Sequence, residues 1–347
     1  MKVDGNVCHD LLRNSMVGKQ KLGYNNKTTD FVTWKKQVKE KFVELLGIDS
    51  IKENACPLNF EIEKEVQKDG YKQIRFTIET EIGSVCPVYV LIPDGVKEKT
   101  PTIITLAGHN SGFHNSIGEP KPEENPSYAL GNGGIAVQAV KEGFIAVAVE
   151  QRGMGERRPD FFNRGGAKMC AYEALTAFEL GRTILGERVW DISRVIDALS
   201  NFPEIDLDTL GITGGSGGGT ASYYCACYDE RIKYSIPLCA FCSYETSILD
   251  IFHCDCNYIP GVFNWFEMQD LACLIAPRKL GIVTGLTDDI FPIDGVRASF
   301  ETVKQIYAEA GVKDNAQLYV TPYGHRWVRE IVYGEAKRLV ENIKNGK

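Results

Sequence analysis

The residues whose types and spacing best suit chemistry are Gly214-Gly215-Ser216-Gly217-Gly218. The preceding Leu210-Gly211-Ile212-Thr213 is short, apolar and β-branched, and reads as a buried strand; the run from Thr220 through Ala221, Tyr223, Tyr224 and Ala226 reads as a helix. A serine held on a sharp strand-to-helix turn needs glycine two positions before and two after, because a Cβ there would strike the neighbouring strand and helix. The helix beginning at Gly217 also aims its free N–H groups at any negative charge that develops beside the serine. That is a layout for nucleophilic attack. A glycine-rich turn that merely contains serine is the plain alternative, and partners further along the chain decide between the two.

Such a serine calls for an acid and then a histidine, in that chain order. Lys279 to Thr284 reads as a buried strand running into Gly285-Leu286-Thr287-Asp288-Asp289-Ile290-Phe291-Pro292. Asp288 and Asp289 compete for the acid role, and the spacing from Gly285 to Pro292 favours Asp288. Gln317 to Thr321 reads as a last strand, followed by Pro322-Tyr323-Gly324-His325. Of the five histidines, only His325 follows the final strand beside a permissive glycine, where a base can lean over the serine. An oxyanion would need two N–H donors: the backbone of Gly217, and one from the loop Ala107-Gly108-His109-Asn110-Ser111-Gly112 after the strand at 102–106. His109 is the expected second donor and Asn110 the fallback, with the His109 ring as a pocket wall.

With these residues in view, the chain resembles an α/β-hydrolase of the acetyl xylan esterase and cephalosporin C deacetylase kind. Four stretches carry the resemblance. Gly108-His109-Asn110-Ser111-Gly112 is similar to the family's Gly-Tyr-Asn-Gly-Gly loop, with histidine for tyrosine. Gln151-Arg152-Gly153-Met154-Gly155 is similar to its Arg-Gly-Gln-Gly motif, with methionine for glutamine. Gly214 to Gly219 is similar to Gly-Gly-Ser-Gln-Gly-Gly, with Gly217 for glutamine, and Ala276-Pro277-Arg278 to the segment leading to the acid. The resemblance covers about residues 75 to 345. It implies an α/β-hydrolase fold and ester hydrolysis through an acyl-enzyme, with acetylated sugars or xylo-oligosaccharides as substrate. Hydrolysis of other esters, lactones or small peptides is the alternative, and a non-catalytic hydrolase-like binding protein is a more distant one.

The elements that must position these residues follow from length and pattern. A chain of 347 residues with 44% hydrophobic side chains can bury one sizeable core. Strands are expected near 74–80, 86–92, 102–106, 144–150, 210–214, 234–240, 279–284 and 317–321. Helices are expected near 128–142, 170–200, 219–228, 295–310 and 327–344. Strands alternating with helices imply an α/β class with a mostly parallel sheet, helices on both faces and an antiparallel N-terminal edge. Residues 1–60 read as an N-terminal helical extension and 61–347 as the catalytic domain. In the extension, Phe31, Trp34, Val38, Phe42 and Leu45 form one apolar helix face, which is expected to pack on the body and could also serve subunit contacts, so a homo-oligomer stays open.

A formal charge of −7 argues against a broad nucleic-acid surface. The polar start without an apolar leader core, and the absence of any run of membrane-spanning length, lead us to expect a cytoplasmic protein without a membrane partner. Eleven cysteines without regular spacing fit a reducing compartment. His253-Cys254-Asp255-Cys256 invites a metal proposal, but adjacent residues seldom converge on one tetrahedral centre and no second pair stands at zinc-site spacing, so neither metal nor cofactor is expected. That segment reads instead as a pocket-shaping insertion, with Cys254, Cys256, Asn257, Tyr258, Phe263 and Trp265 as lining. Among these, Tyr258 and Trp265, together with Asn110 and Arg152, are candidate contacts to a sugar ester. Arg152, just past the strand at 144–150, is also suited to tying loops together. Trp190, Asp191 and Arg194 share one helix and read as architecture.

Overall fold

The computed structural model describes residues 5–109, 112–119, 134–159 and 170–346. Its strands are β1 (Glu61–Lys68), β2 (Tyr71–Glu81), β3 (Ser84–Pro93), β4 (Thr100–Leu106), β5 (Ile145–Val149), β6 (Ile205–Gly215), β7 (Tyr234–Leu238), β8 (Lys279–Gly285) and β9 (Ala316–Thr321). They form one sheet in the order β1-β2-β3-β5-β4-β6-β7-β8-β9. β1, β2, β3 and β5 pair antiparallel in succession, and every pairing from β5 to β9 is parallel. The antiparallel edge extends one strand beyond expectation. β1 reads Glu-Ile-Glu-Lys-Glu-Val-Gln-Lys and is exposed along most of its length, the charged dress of an edge strand that hides its sheet character.

Both faces of the sheet are covered. Ile104 and Val147 face one apolar cluster, whereas their neighbours Ile103, Ala146 and Ala148 face another. Alternation that is apolar on both sides is what a parallel sheet between two helical layers requires. The first layer holds α2 (Phe31–Leu46), α3 (Ile48–Glu53), α7 (Ile184–Ala198), α8 (Gly217–Tyr228), α9 (Ala272–Ile275) and α10 (Ile293–Glu309). The second holds α4 (Phe113–Ser116), α5 (Ile135–Lys141) and α11 (Arg329–Lys344). Two further helices, α1 (Val7–Met16) and α6 (Ala171–Glu179), complete the described set. The helix expected over 170–200 is two helices. The chain breaks at Gly181, in the left-handed region at φ 70°, and restarts where the Thr183 hydroxyl caps the Gly186 N–H.

The N-terminal segment is part of the same core. Trp34, Val38, Phe42 and Leu46 recur every fourth residue, are buried, and join the sheet residues in the first cluster. Leu45 and Phe31 of the expected face are only partly buried, because the contact stripe follows the four-residue spacing. Asp30 caps α2 through the N–H groups of Val32 and Thr33, and Gly47 at φ 73° ends it.

Candidate active site

The serine sits where β6 turns into α8. Ser216 has φ 54° and ψ −124°, a region that side-chain-bearing residues rarely occupy. The turn is held on both sides: the Ser216 N–H donates to the Leu238 carbonyl at 2.9 Å, and the Thr220 N–H donates to the Ser216 carbonyl at 2.9 Å. The close approach of β4 dictates the flanking glycines. A Cβ on Gly218 would lie 2.0 Å from the Leu106 carbonyl oxygen, and one on Gly214 2.6 Å from that same oxygen. Only hydrogen fits there.

The acid and the histidine come from the ends of the next strands. Asp288 follows β8, and its side chain is fully buried. Its Oδ1 accepts the N–H groups of Ile290 at 2.9 Å and Phe291 at 3.1 Å, so the carboxylate caps its own turn. Oδ2 lies 2.9 Å from His325 Nδ1. Burial acts to raise the Asp288 pKa, but the contact with His325 and the two backbone donors outweigh it and hold the acid below its ordinary range. Asp289 is exposed. Phe291 stacks on the His325 ring at 6.1 Å between centroids and 14° between planes. His253 meets the same phenyl ring in an edge contact at 5.3 Å between centroids, and its Nε2 pairs with the Ser247 hydroxyl at 3.1 Å. Burial, helped by the neighbouring His325, lowers the His253 pKa to about 4, so this imidazole is neutral near pH 7.

Ser216, Gly217, His109 and His325 line one cavity of about 350 Å³. Gly108 abuts the serine: a Cβ there would lie 3.5 Å from Ser216 Cβ. The loop carrying His109 is fixed from two directions. Gln151 Nε2 donates to the Ala107 carbonyl at 2.7 Å, and His109 Nε2 lies 3.1 Å from Cys256 Sγ. The His109 ring fills the space a side chain at 217 would use, since a Cβ on Gly217 would come within 2.7 Å of it. Histidine at 109 and glycine at 217, both departures from the motifs this chain resembles, therefore accommodate each other.

Other expected contacts fall elsewhere. The Arg152 side chain is taken up by Glu81 at 2.6 Å, Glu187 at 3.3 Å and Asp191 at 2.9 Å, and it does not line the cavity. Its expected substrate role is corrected to a loop-tying one. Trp265 packs under Lys41 and Lys21, and Tyr258 packs against the core; neither lines the cavity, nor do Phe263 and Cys256. Trp265 is held by the N-terminal segment, its carbonyl accepting the Leu22 N–H at 2.6 Å, and the sequence pattern does not disclose that docking site. Asn110 lies outside the described residues. Cys254 and Asn257 do line the cavity, as do Phe252, Phe291 and Trp327, which the sequence reading missed. Phe252 is 69% exposed at the mouth.

Glu150 was missed as well. Wholly buried at the end of β5, its carboxyl accepts from the N–H groups of Phe113 and Glu156, each at 3.1 Å. Burial pushes its pKa up to about 8. A Cβ on Gly112 would overlap it, which explains that glycine at φ 71°. A buried acid after an apolar strand was the available signal.

The matching family model, described as the Abhydrolase family, spans residues 4–230. The chain belongs to the Abhydrolase family. The match includes the N-terminal helices and the serine turn, and ends before Asp288 and His325. A Bacillus subtilis (strain 168) protein described as "Putative hydrolase YtaP" is 24% identical over 259 residues, 74% of this chain and 82% of that protein. Among solved structures, a "putative acetyl xylan esterase" from Bacteroides fragilis NCTC 9343 superposes with a TM-score of 0.74 at 20% identity, covering 92% of this chain and 84% of the other. "Methylesterase BT1017" gives 0.73 at 20% identity, covering 96% of this chain and 69% of the other. At these identities the structural likeness is one of fold, and it agrees with the sheet order and the two helical layers of this Abhydrolase member.

Proposed function

We propose that this Abhydrolase member is a serine hydrolase of carboxylic esters that works through an acyl-enzyme. One observation carries the reading: a serine in a strained strand-to-helix turn shares a cavity with a histidine whose other ring nitrogen is bonded to a fully buried aspartate. In this reading Ser216 Oγ attacks the ester carbonyl while His325 Nε2 takes the serine proton and then delivers it to the leaving alcohol. Asp288 holds the Nδ1–H tautomer and stabilises the imidazolium. The N–H groups of Gly217 and His109 receive the oxyanion at the positive end of α8. Water then attacks the acyl carbonyl while His325 takes its proton, and His325 returns that proton to Ser216 Oγ as the acyl group leaves as the acid.

For the substrate we propose a short acyl ester of a sugar, deacetylation of acetylated xylo-oligosaccharides being the first choice. Support comes from the modest cavity volume, from the exposed Phe252 ring at the mouth, suited to stacking on a sugar face, and from solved relatives of this fold named acetyl xylan esterase and glucuronoyl esterase. A fluorophosphonate probe tests the chemistry: it should label the parent at Ser216 and leave Ser216→Ala unlabelled. No labelling of the parent would favour a binding protein instead. Hydrolysis of acetylated xylo-oligosaccharides, set against a panel of p-nitrophenyl esters, tests the substrate.

A further inference from the structure

Four soft or borderline ligand atoms meet beside the oxyanion loop. His109 Nε2 and the sulfurs of Cys170, Cys254 and Cys256 all lie within 4.8 Å of one another, and the three cysteines are buried. They come from three separate places: the loop after β4, the residue before α6, and the insertion between β7 and β8. In Cys254-Asp255-Cys256 the two sulfurs reach the cluster, while Asp255 stays at the half-exposed surface and His253 turns to Ser247. Adjacency in sequence is therefore no obstacle to a metal here, because half of the set comes from residues far away along the chain.

We propose that His109, Cys170, Cys254 and Cys256 bind one structural zinc ion. Three thiolates and one imidazole are a set suited to tetrahedral zinc, and Zn–S bonds of about 2.3 Å place neighbouring ligand atoms roughly 3.8 Å apart. The ligand atoms, none more than 4.8 Å apart, need only small shifts to meet that, outward for His109 Nε2 and Cys256 Sγ, which now lie 3.1 Å apart. An ion with three thiolates carries one net negative charge, which in a buried place needs an opposite charge nearby. Arg188, 1% exposed, supplies it: its guanidinium donates to Cys170 Sγ at 3.1 Å and to the Arg152 carbonyl at 2.6 Å. Among the described residues no carboxylate forms a salt bridge with Arg188, so a thiolate cluster gives that buried cation its partner. Binding is an exchange of protons for metal: each coordinating thiol loses its proton to solvent, up to three per ion, and nothing is oxidised or reduced.

All four coordination positions are protein atoms, so the ion is structural and no water or substrate is activated on it. Its effect is on position. The ring of His109 is pinned by Nε2, which fixes the loop whose backbone faces Ser216 and ties it to the insertion forming one cavity wall. The metal site stands independently of the ester reading; only its effect on turnover rests on that reading.

The test uses the full chain, purified with a thiol reductant. Elemental analysis should find one equivalent of zinc, and cobalt(II) replacing it should give the intense thiolate-to-metal absorption and the visible bands of a tetrahedral site. Stripping with a chelator should lower Tm and reduce p-nitrophenyl acetate turnover about tenfold, the scale on which supporting shells act, with zinc restoring both. In Cys254→Ser the cobalt spectrum should weaken or vanish; if that variant does not fold, the parent's metal content and cobalt spectrum still decide. Metal at trace level after zinc reconstitution, with no cobalt absorption, would overturn the proposal. So would a disulfide among the three cysteines, read as a mass lower by two hydrogens in protein purified without reductant and reconstituted with zinc. Stoichiometric zinc with no ester turnover would keep the site and sink the ester reading.

Discussion

In the proposed mechanism Ser216, His325 and Asp288 act on one proton path, so their losses should not multiply. Ser216→Ala and His325→Ala should each remove most of the turnover without unfolding the chain, and the double variant should be little slower than either. Where a serine and its base work as such a unit, losing either costs on the order of 10⁶-fold, about as much as losing both. Multiplying losses in steady-state kinetics would mean the two side chains work separately. The two aspartates separate more sharply. In Asp288→Asn the amide oxygen can still accept from Ile290 and Phe291, which places the NH₂ toward His325 Nδ1 and disfavours the required tautomer. A fall in kcat of roughly 10³–10⁴ is expected. Asp289 is exposed, and Asp289→Asn should leave kcat near that of the parent. A larger effect at 289 would exchange the two roles.

At the scale of elements, α8 joins Ser216, the proposed nucleophile, to the N-terminal segment. Its first residue follows Ser216, and its last carbonyls meet cations: Lys39 Nζ reaches the carbonyls of Cys227 and Tyr228, and Arg278 Nη2 reaches that of Ala226 at 2.7 Å. Cations at the C-terminal end and a developing oxyanion at the N-terminal end both suit the helix dipole. Phe42 of α2 stacks on Tyr224 of α8, with ring centroids 5.9 Å apart and planes at 16°. Phe42→Ala should therefore cost about 3–5 kcal/mol through the cavity it leaves. For a chain of this size that is a Tm lower by roughly 4–7 °C in calorimetry. An unchanged Tm would mean that the first sixty residues are a dispensable appendage.

For the molecule as a whole, buried carboxyls set the pH dependence of stability. Burial raises Glu150 to about 8 and Glu267 to about 7, although both accept backbone N–H groups. A carboxyl raised on folding contributes stability that is fully present below its unfolded pKa and is lost as pH rises through the folded value. His253, lowered to about 4, works the other way, its contribution being lost as pH falls below about 6.5. Above that point the two glutamates act without it, and Lys39, which burial lowers to about 8, opposes them only at higher pH, so Tm should fall between about pH 6.5 and 8. A Tm that is flat or rising across that window in calorimetry would show that these groups are not held protonated. Among the described residues no helix is long and apolar enough to cross a membrane.

Much of this was legible along the chain, because local rules specify it. The glycines around Ser216 follow from a turn too tight for Cβ atoms, and Asp288 and His325 follow from their places just past strand ends. The apolar runs disclose both faces of a parallel sheet, since alternation there never exposes a side. What only the tertiary structure decided depends on long-range contact. Arg152 reads as a loop tie with a substrate contact as the lesser alternative, and the tie is seen only when Glu81, Glu187 and Asp191 surround it. Trp265 and Tyr258 look like pocket aromatics until the N-terminal segment packs on the first and the core takes up the second. Cys170 is an isolated residue in sequence, 84 positions before Cys254, until folding brings its sulfur to Cys254, Cys256 and His109. Periodicity and spacing encode turns and faces; they do not encode which distant loops share a corner, because that is set by how two helical layers close over one sheet.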